Sequence, residues 1–195
     1  TNDGHRYVRE LYEKGVRTFC VTNIPENMVS ATDAVFFVVK DTTKALQKIA
    51  TAHRQSFQGT VVGITGSRGK TTVKEWLYQL LGTKYQIVRS PRSFNSQIGV
   101  PLSVWEINAD TDLAIIEAGV SQKGEMSSLQ SIIKPNIGIF TNINSEHADG
   151  FKSIKQKCDE KALLLAECDT IIYCSDQATV NDSVNRICQA QTKIG

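Results

Sequence analysis

The segment "TVVGITGSRGKTTVKEWLYQLL", residues 60–81, joins an apolar run of strand length to a helix-period stretch through a turn that holds Gly66 and Gly69. A strand feeding directly into a helix through a glycine-rich turn is the first half of a β-α-β unit, so the chain is committed to an α/β fold. Further apolar runs repeat the theme: 34–39 ("AVFFVV"), 85–90 ("YQIVRS"), 113–118 ("LAIIEA"), 136–143 ("NIGIFTNI") and 170–174 ("TIIYC") alternate with helix-period segments. Continuous apolar strands separated by helices predict a mostly parallel, doubly wound sheet covered on both faces. Helices are expected over 41–57, 70–81, 99–107, around 124–133, and from about Ser153 to Glu167.

With 195 residues, 22% charged and a net charge of +2, composition fits one sizeable α/β core or one domain plus part of another, and carries no nucleic-acid-scale basic field. No apolar run approaches the roughly 20 residues of a bilayer span, and "TNDGHRYVRE" lacks a signal-peptide core, so neither nucleic acid nor membrane is an expected partner and a cytoplasmic location is expected. The five cysteines are odd in number and contain no C-x-x-C pair, which favours free thiols over disulfides or a zinc site. Both ends look internal to a longer polypeptide. His53 falls on the apolar stripe of the 41–57 helix and is expected to be a packed, hydrogen-bonded histidine. Trp76 and Trp105 lie in helical patterns, where core or helix-packing roles are expected.

The turn carries chemistry as well as geometry. Glycines leave backbone N–H groups accessible, the following helix N-terminus favours anions, and a lysine stands ready for β/γ oxygens, so "GITGSRGKTT" reads as a polyphosphate cradle. Thr65, Gly66, Ser67, Arg68, Gly69, Lys70, Thr71 and Thr72 are its candidate nucleotide-binding residues, with Lys70 neutralising charge and the Thr71 hydroxyl on a magnesium ion. The strict Walker spacing requires glycine at 64, where the chain has isoleucine.

The departure from that spacing is itself informative, because G-x-T-G-x-x-G-K-T-T resembles the form found in the Mur ligases and the related folylpolyglutamate synthases. Arg68 stands where that family more often has Asn. The family resemblance extends through "EAGVSQKGEM", which is similar to E-x-G-x-x-x-x-G-E, and "TNINSEHADGF", which is similar to T-N-I-x-x-x-H-x-x-x-F. It implies ATP and Mg2+ as cofactors, Glu117 binding magnesium directly or through water, His147 ligating a second magnesium or orienting the carboxylate substrate, and Asn142 near the adenine. It also implies that Lys161, in "SIKQKCDEKALLLAE", is carbamylated by CO2 into a further ligand. Lys161 borders the apolar face of its helix, whereas Lys155 and Lys157 are assigned to the solvent stripe. Lys70, His147 and Lys161 are the candidate catalytic residues.

The stretch "SPRSFNSQIGVPLSVW" resembles the branch of the family that adds D-alanyl-D-alanine, and puts Asn95 and Ser96 against the acceptor. The resemblance implies an ATP-dependent amide ligase acting on UDP-N-acetylmuramoyl tripeptide and D-alanyl-D-alanine through an acyl phosphate, within an incomplete central domain over 58–195. Residues 1–57 would close an N-terminal substrate-binding α/β domain. A fused alanine racemase elsewhere in the polypeptide, and a third domain needed for turnover, are further implications. A folylpolyglutamate synthase-like enzyme, another Mur ligase, a P-loop kinase or NTPase, and a non-catalytic module remain alternative readings.

Overall fold

The computed structural model describes residues 3–144, 150–189 and 191–195. Two compact units divide the chain, Thr1–Leu46 and Gln47–Gly195. In the first, helix α1 (Val8–Glu13) precedes strands β1 (Thr18–Val21) and β2 (Val35–Val38), which pair in parallel with Phe19 opposite Phe36. Val8, Phe19, Val21 and Met28 form its small core, and the Phe19 and Phe36 rings stack at 5.4 Å. The run 34–39 was expected to be a buried strand. Within this run Ala34 and Phe36 pack on this core; Val35 and Phe37, on the other face of the two-stranded sheet, are exposed, and so is Val38 at the strand end.

Helix α2 (Thr42–Gln55) crosses the division and begins with the Asp41 side chain accepting from the Lys44 amide at 2.9 Å, an N-cap bond. The division therefore falls earlier than the junction after residue 57 read from the sequence. The larger unit is built on strands β3 (Thr60–Thr65), β4 (Ile87–Arg89), β5 (Leu113–Glu117), β6 (Ile137–Phe140), β7 (Thr170–Tyr173) and β8 (Thr192–Ile194). Every pairing is parallel and the order is β4-β5-β3-β6-β7-β8, so the sheet is the parallel α/β sheet that the alternation predicted.

The helices divide between its faces. Helix α3 (Lys70–Leu81) covers Val62, Ile64, Leu113 and Ile115 with Val73, Leu77 and Leu81. On the other face, α4 (Gly99–Trp105), α5 (Met126–Ile133), α6 (Ile154–Ala162) and α7 (Ala178–Ile187) pack with Ala50 of α2 over Val61, Ala114, Ile116, Phe140 and Ile171. Central β5 is buried at every residue, which is why its sequence shows no polar alternation. The 153–167 helix is shorter than expected, since α6 ends at Ala162 and a 3-10 turn over Leu163–Leu165 follows.

His53 meets its expectation, with Nε2 2.8 Å from the Ile107 carbonyl and its ring against Trp105. Neither tryptophan is a core residue, although Trp105 does pack across helices on His53. Trp76 is 62% exposed and Trp105 56% exposed, because α3 and α4 turn those positions away from the sheet. All five cysteines are unpaired. No helix among the described residues is long and apolar enough to cross a membrane.

Candidate nucleotide and acceptor site

The chain runs from β3 past β5 to β4, returns to β5, and then continues on the far side of β3 as β6. This reversal leaves a crevice at the carboxyl ends of the strands, where open α/β sheets bind ligands. Four of those ends meet here: Thr65 of β3, the residues after Arg89 of β4, Glu117 of β5, and Thr141–Asn142 after β6.

Between β3 and α3 the backbone makes two left-handed turns, Gly66 at φ +137° and Gly69 at φ +80°. Gly66 has no room for a side chain, since a Cβ there would lie 2.0 Å from the Thr141 hydroxyl. Thr141 Oγ1 donates to the Arg68 carbonyl at 2.6 Å, and Asn142 holds both backbone groups of Arg68: Oδ1 accepts from Arg68 N and Nδ2 donates to Arg68 O, each at 3.1 Å. The Asn142 carbonyl accepts from Ser67 N at 2.8 Å. Asn142, expected near the adenine, thus spends its side chain bracing the loop. Because the Ser67 and Arg68 amides are engaged by Asn142, the donors left to an anion are concentrated in the first turn of α3, ahead of the first helical bond from Val73 N to Gly69 O at 2.9 Å.

Lys70 Nζ folds back to donate to the Gly66 carbonyl at 2.9 Å, and Lys161 Nζ, from α6, donates to the same oxygen at 3.1 Å. Lys157, one helical turn before Lys161, is also buried and reaches the Asn144 carbonyl at 3.2 Å, which corrects its assignment to the solvent stripe. Three lysines therefore converge. Burial, then the charges of Lys70 and Lys157, bring the Lys161 ammonium down to about 8 from its ordinary value. Burial also lowers Lys70, partly offset by Glu117.

Thr71 and Glu117 stand together, the hydroxyl donating to Glu117 Oε2 at 3.2 Å. Glu117 is fully buried, and its Oε1 has no hydrogen-bond donor although Lys74 Nζ lies 3.1 Å away as an ion pair. The Thr65 hydroxyl beneath the loop is also buried and unpartnered. A hydroxyl and a carboxylate, both hard oxygens, at a phosphate-binding helix N-terminus suit magnesium, which uses few protein ligands and keeps several waters. Among the described residues, no group of three or more His, Cys, Asp and Glu side chains forms a metal site. His147 lies outside the described residues.

Beside the loop, a cleft of about 570 Å3 is lined by Ser67, Arg68, Lys70, Asn95, Ser96 and Lys161, together with Gln97, Glu125 and Lys157. Asn95 is fixed at the end of β5, where its carbonyl accepts from Gly119 N at 2.8 Å. Thr72 is exposed and does not line the cleft. Sequence reasoning missed Lys74, Lys157, Gln97 and Glu125.

The family model for the Mur ligase middle domain matches residues 64–194, most of the larger unit. This chain belongs to the Mur ligase family. A UDP-N-acetylmuramoyl-tripeptide–D-alanyl-D-alanine ligase of Bacillus subtilis strain 168 is 34% identical over 97% of the chain and 41% of its own length. The enzyme of the same name from Synechocystis is 33% identical over 97% of the chain and 42% of its length. Among solved structures, the MurF ligase of Thermotoga maritima in complex with ADP superposes with a TM-score of 0.85 at 26% identity, over 98% of the chain and 44% of that one. A folylpolyglutamate synthase of Mycobacterium tuberculosis, complexed with ADP and AMPPCP, shares the fold at a TM-score of 0.59 and 12% identity, over 78% of the chain and 46% of that one. The chain spans about two fifths of the length of the Mur ligases it matches.

Proposed function

We propose that the chain carries the nucleotide-binding part of an ATP-dependent ligase that joins D-alanyl-D-alanine to the terminal carboxylate of UDP-N-acetylmuramoyl tripeptide. The observation that supports this most directly is the convergence of Lys70, Lys161, Thr71 and Glu117 around the Gly66–Thr71 turn, next to a cleft that also holds Asn95 and Ser96. The relatives named for this reaction extend over 97% of the chain. Since the substrates are nucleotides and nucleotide-linked sugars, we place the reaction in the cytoplasm.

ATP supplies the phosphoryl group that turns the acceptor carboxylate into an acyl phosphate, from which the amine of D-alanyl-D-alanine displaces phosphate to form the amide. The chain's residues must bring two anions together, which makes charge neutralisation and positioning the dominant work. Lys70 leaves the Gly66 carbonyl to pair with the outer phosphates. The first-turn amides of α3 hold the polyphosphate, and the loop keeps its shape because Thr141 and Asn142 brace the Arg68 backbone. Thr71 and Glu117 would hold magnesium, which offsets phosphate charge as a Lewis acid. Asn95 and Ser96 present the acceptor. Lys161 would act as a neutralising ammonium or, after carbamylation of its amine, as an oxygen donor toward the metal, and the family resemblance implies a role for His147 as a further metal ligand or in orienting the carboxylate substrate.

Phosphate release by the intact protein tests this. Release is expected only when ATP, UDP-N-acetylmuramoyl tripeptide and D-alanyl-D-alanine are all present. Turnover with a folate and glutamate pair, or hydrolysis of ATP without any carboxylate acceptor, would replace the reading with a synthase of the related class or with an NTPase.

A further inference from the structure

Lys74 is among the largest fully buried side chains of the described residues, and it is charged. It lies one turn beyond Lys70 on α3, on the sheet-facing stripe with Leu77 and Leu81. A buried ammonium has three protons to place, and each needs an acceptor. Lys74 Nζ donates to the Ser90 carbonyl at 2.7 Å and to the Arg92 carbonyl, and forms ion pairs with Glu117 Oε1 at 3.1 Å and, on the outer side, with Glu75 Oε1 at 3.2 Å.

These partners belong to two functional groups. Glu117 pairs with Thr71 at the expected metal position. Ser90 and Arg92 begin the segment that leaves β4 and carries Ser93, Asn95 and Ser96 to the site. Arg92 is held at φ +49°, a conformation non-glycine residues rarely adopt, and its carbonyl turns to Lys74. Ser90 adds a second link, its hydroxyl accepting from Glu117 N at 3.0 Å. Ser93 Oγ stands 3.4 Å from Thr71 Oγ1. One cation thus ties the end of β5 to the bend before the acceptor segment.

We propose that Lys74 is a positioning residue that sets the Glu117 carboxylate for metal binding and, through the Ser90 and Arg92 carbonyls, sets the 93–96 segment for the acceptor. The proposal rests on the functional reading above, and it assigns to one buried cation the coupling between the phosphate and carboxylate halves of the site. The cation is needed because two carbonyls and a carboxylate approaching one point would otherwise repel each other. A side chain of similar length without the charge fills the space but leaves those oxygens without a donor.

The test is Lys74→Met in the intact protein, read by the KM for UDP-N-acetylmuramoyl tripeptide, by the Mg2+ concentration giving half-maximal phosphate release, and by calorimetric binding of ADP in EDTA. Both kinetic quantities should rise by about tenfold or more, the effect of losing one charge-assisted contact on each side, while metal-free ADP binding stays within about twofold because the first turn of α3 is untouched. A role confined to stability would lower the melting temperature and the active fraction but leave the two kinetic quantities of the folded enzyme unchanged; that result overturns the proposal. If Lys74→Met does not fold, the double variant Lys74→Met/Glu117→Gln removes the bare buried charge, and its binding of UDP-N-acetylmuramoyl tripeptide is compared with that of Glu117→Gln. Weaker binding in the double variant supports the link through Ser90 and Arg92; equal binding overturns it. Absence of acceptor-dependent phosphate release in the unsubstituted protein would instead refute the functional reading, and the two failures are told apart by that control.

Discussion

Gly66→Ala is the substitution whose cost can be worked most directly from the structure. At φ +137° an L-residue is strained by about 1–3 kcal/mol. The new methyl would also sit 2.0 Å from Thr141 Oγ1 and 3.1 Å from the backbone of Asn142, the strand end that braces the loop. Thr141 must swing away, giving up its bonds to Arg68 O at 2.6 Å and Thr65 O at 3.3 Å, about 1 kcal/mol each. The total is about 3–5 kcal/mol, or a fall in melting temperature of roughly 6–20 °C for a protein of this size. The tilted Gly66 carbonyl also misplaces Lys70 and Lys161, which both bond to it, so ADP affinity should fall by about 10- to 100-fold. Gly69→Ala is the control: at φ +80° it is strained, but a Cβ there meets nothing nearer than 3.9 Å, so about 1–2 kcal/mol is expected. Differential scanning fluorimetry and ADP calorimetry on the two variants separate the terms. Equal melting temperatures would show that Thr141 yields without cost and that the steric reasoning is wrong; unchanged ADP affinity in Gly66→Ala would mean that this loop does not hold the nucleotide.

Arg54 is buried without a carboxylate partner among the described residues and caps α5 by donating to Ile133 O at 2.8 Å and Lys134 O at 2.9 Å, with a third bond to Phe57 O at 3.0 Å. Arg54→Met should cost about 3 kcal/mol in a denaturant titration, through carbonyls left without donors, while ADP affinity is unchanged. For Lys161, the folded-state value near 8 lies below the ordinary lysine value of 10.5. The unfolded chain therefore binds more protons between those limits, so the penalty for the buried charge is full below pH 8 and is relieved as pH rises toward 10.5. In CO2-free buffer, the stability of the unsubstituted protein relative to Lys161→Met should improve by about 2 kcal/mol between pH 7 and pH 9.5; a flat difference would show that Lys161 is not held near neutrality.

What the sequence disclosed and what it hid follow from the same periodicities. The strands covered on both faces, β3 and β5 above all, must be apolar at nearly every residue and so stand out. β1 and β8 are short, at four and three residues, and mix polar with apolar side chains, and neither was recognised. The phosphate turn was legible because its glycines meet a backbone requirement that no other residue meets at Gly66. The bracing by Asn142 was hidden, since a motif gives Asn142 a place in the chain but not the backbone groups it holds. The lysines show the sharper lesson. Lys157 was grouped with Lys155 by proximity in sequence, yet it is four residues from Lys161, the spacing that places two side chains on one face of a helix. Lys74 was overlooked although it is three residues before Leu77 and seven before Leu81, on the stripe that packs against the sheet. A charged residue in register with a core stripe is costly to bury unless partners await it, and those partners come from the bend after β4 and from the end of β5, far along the chain. Helical period alone therefore marks such a lysine as one that needs partners; only the folded sheet shows that its partners are the carboxylate and the bend on which the site depends.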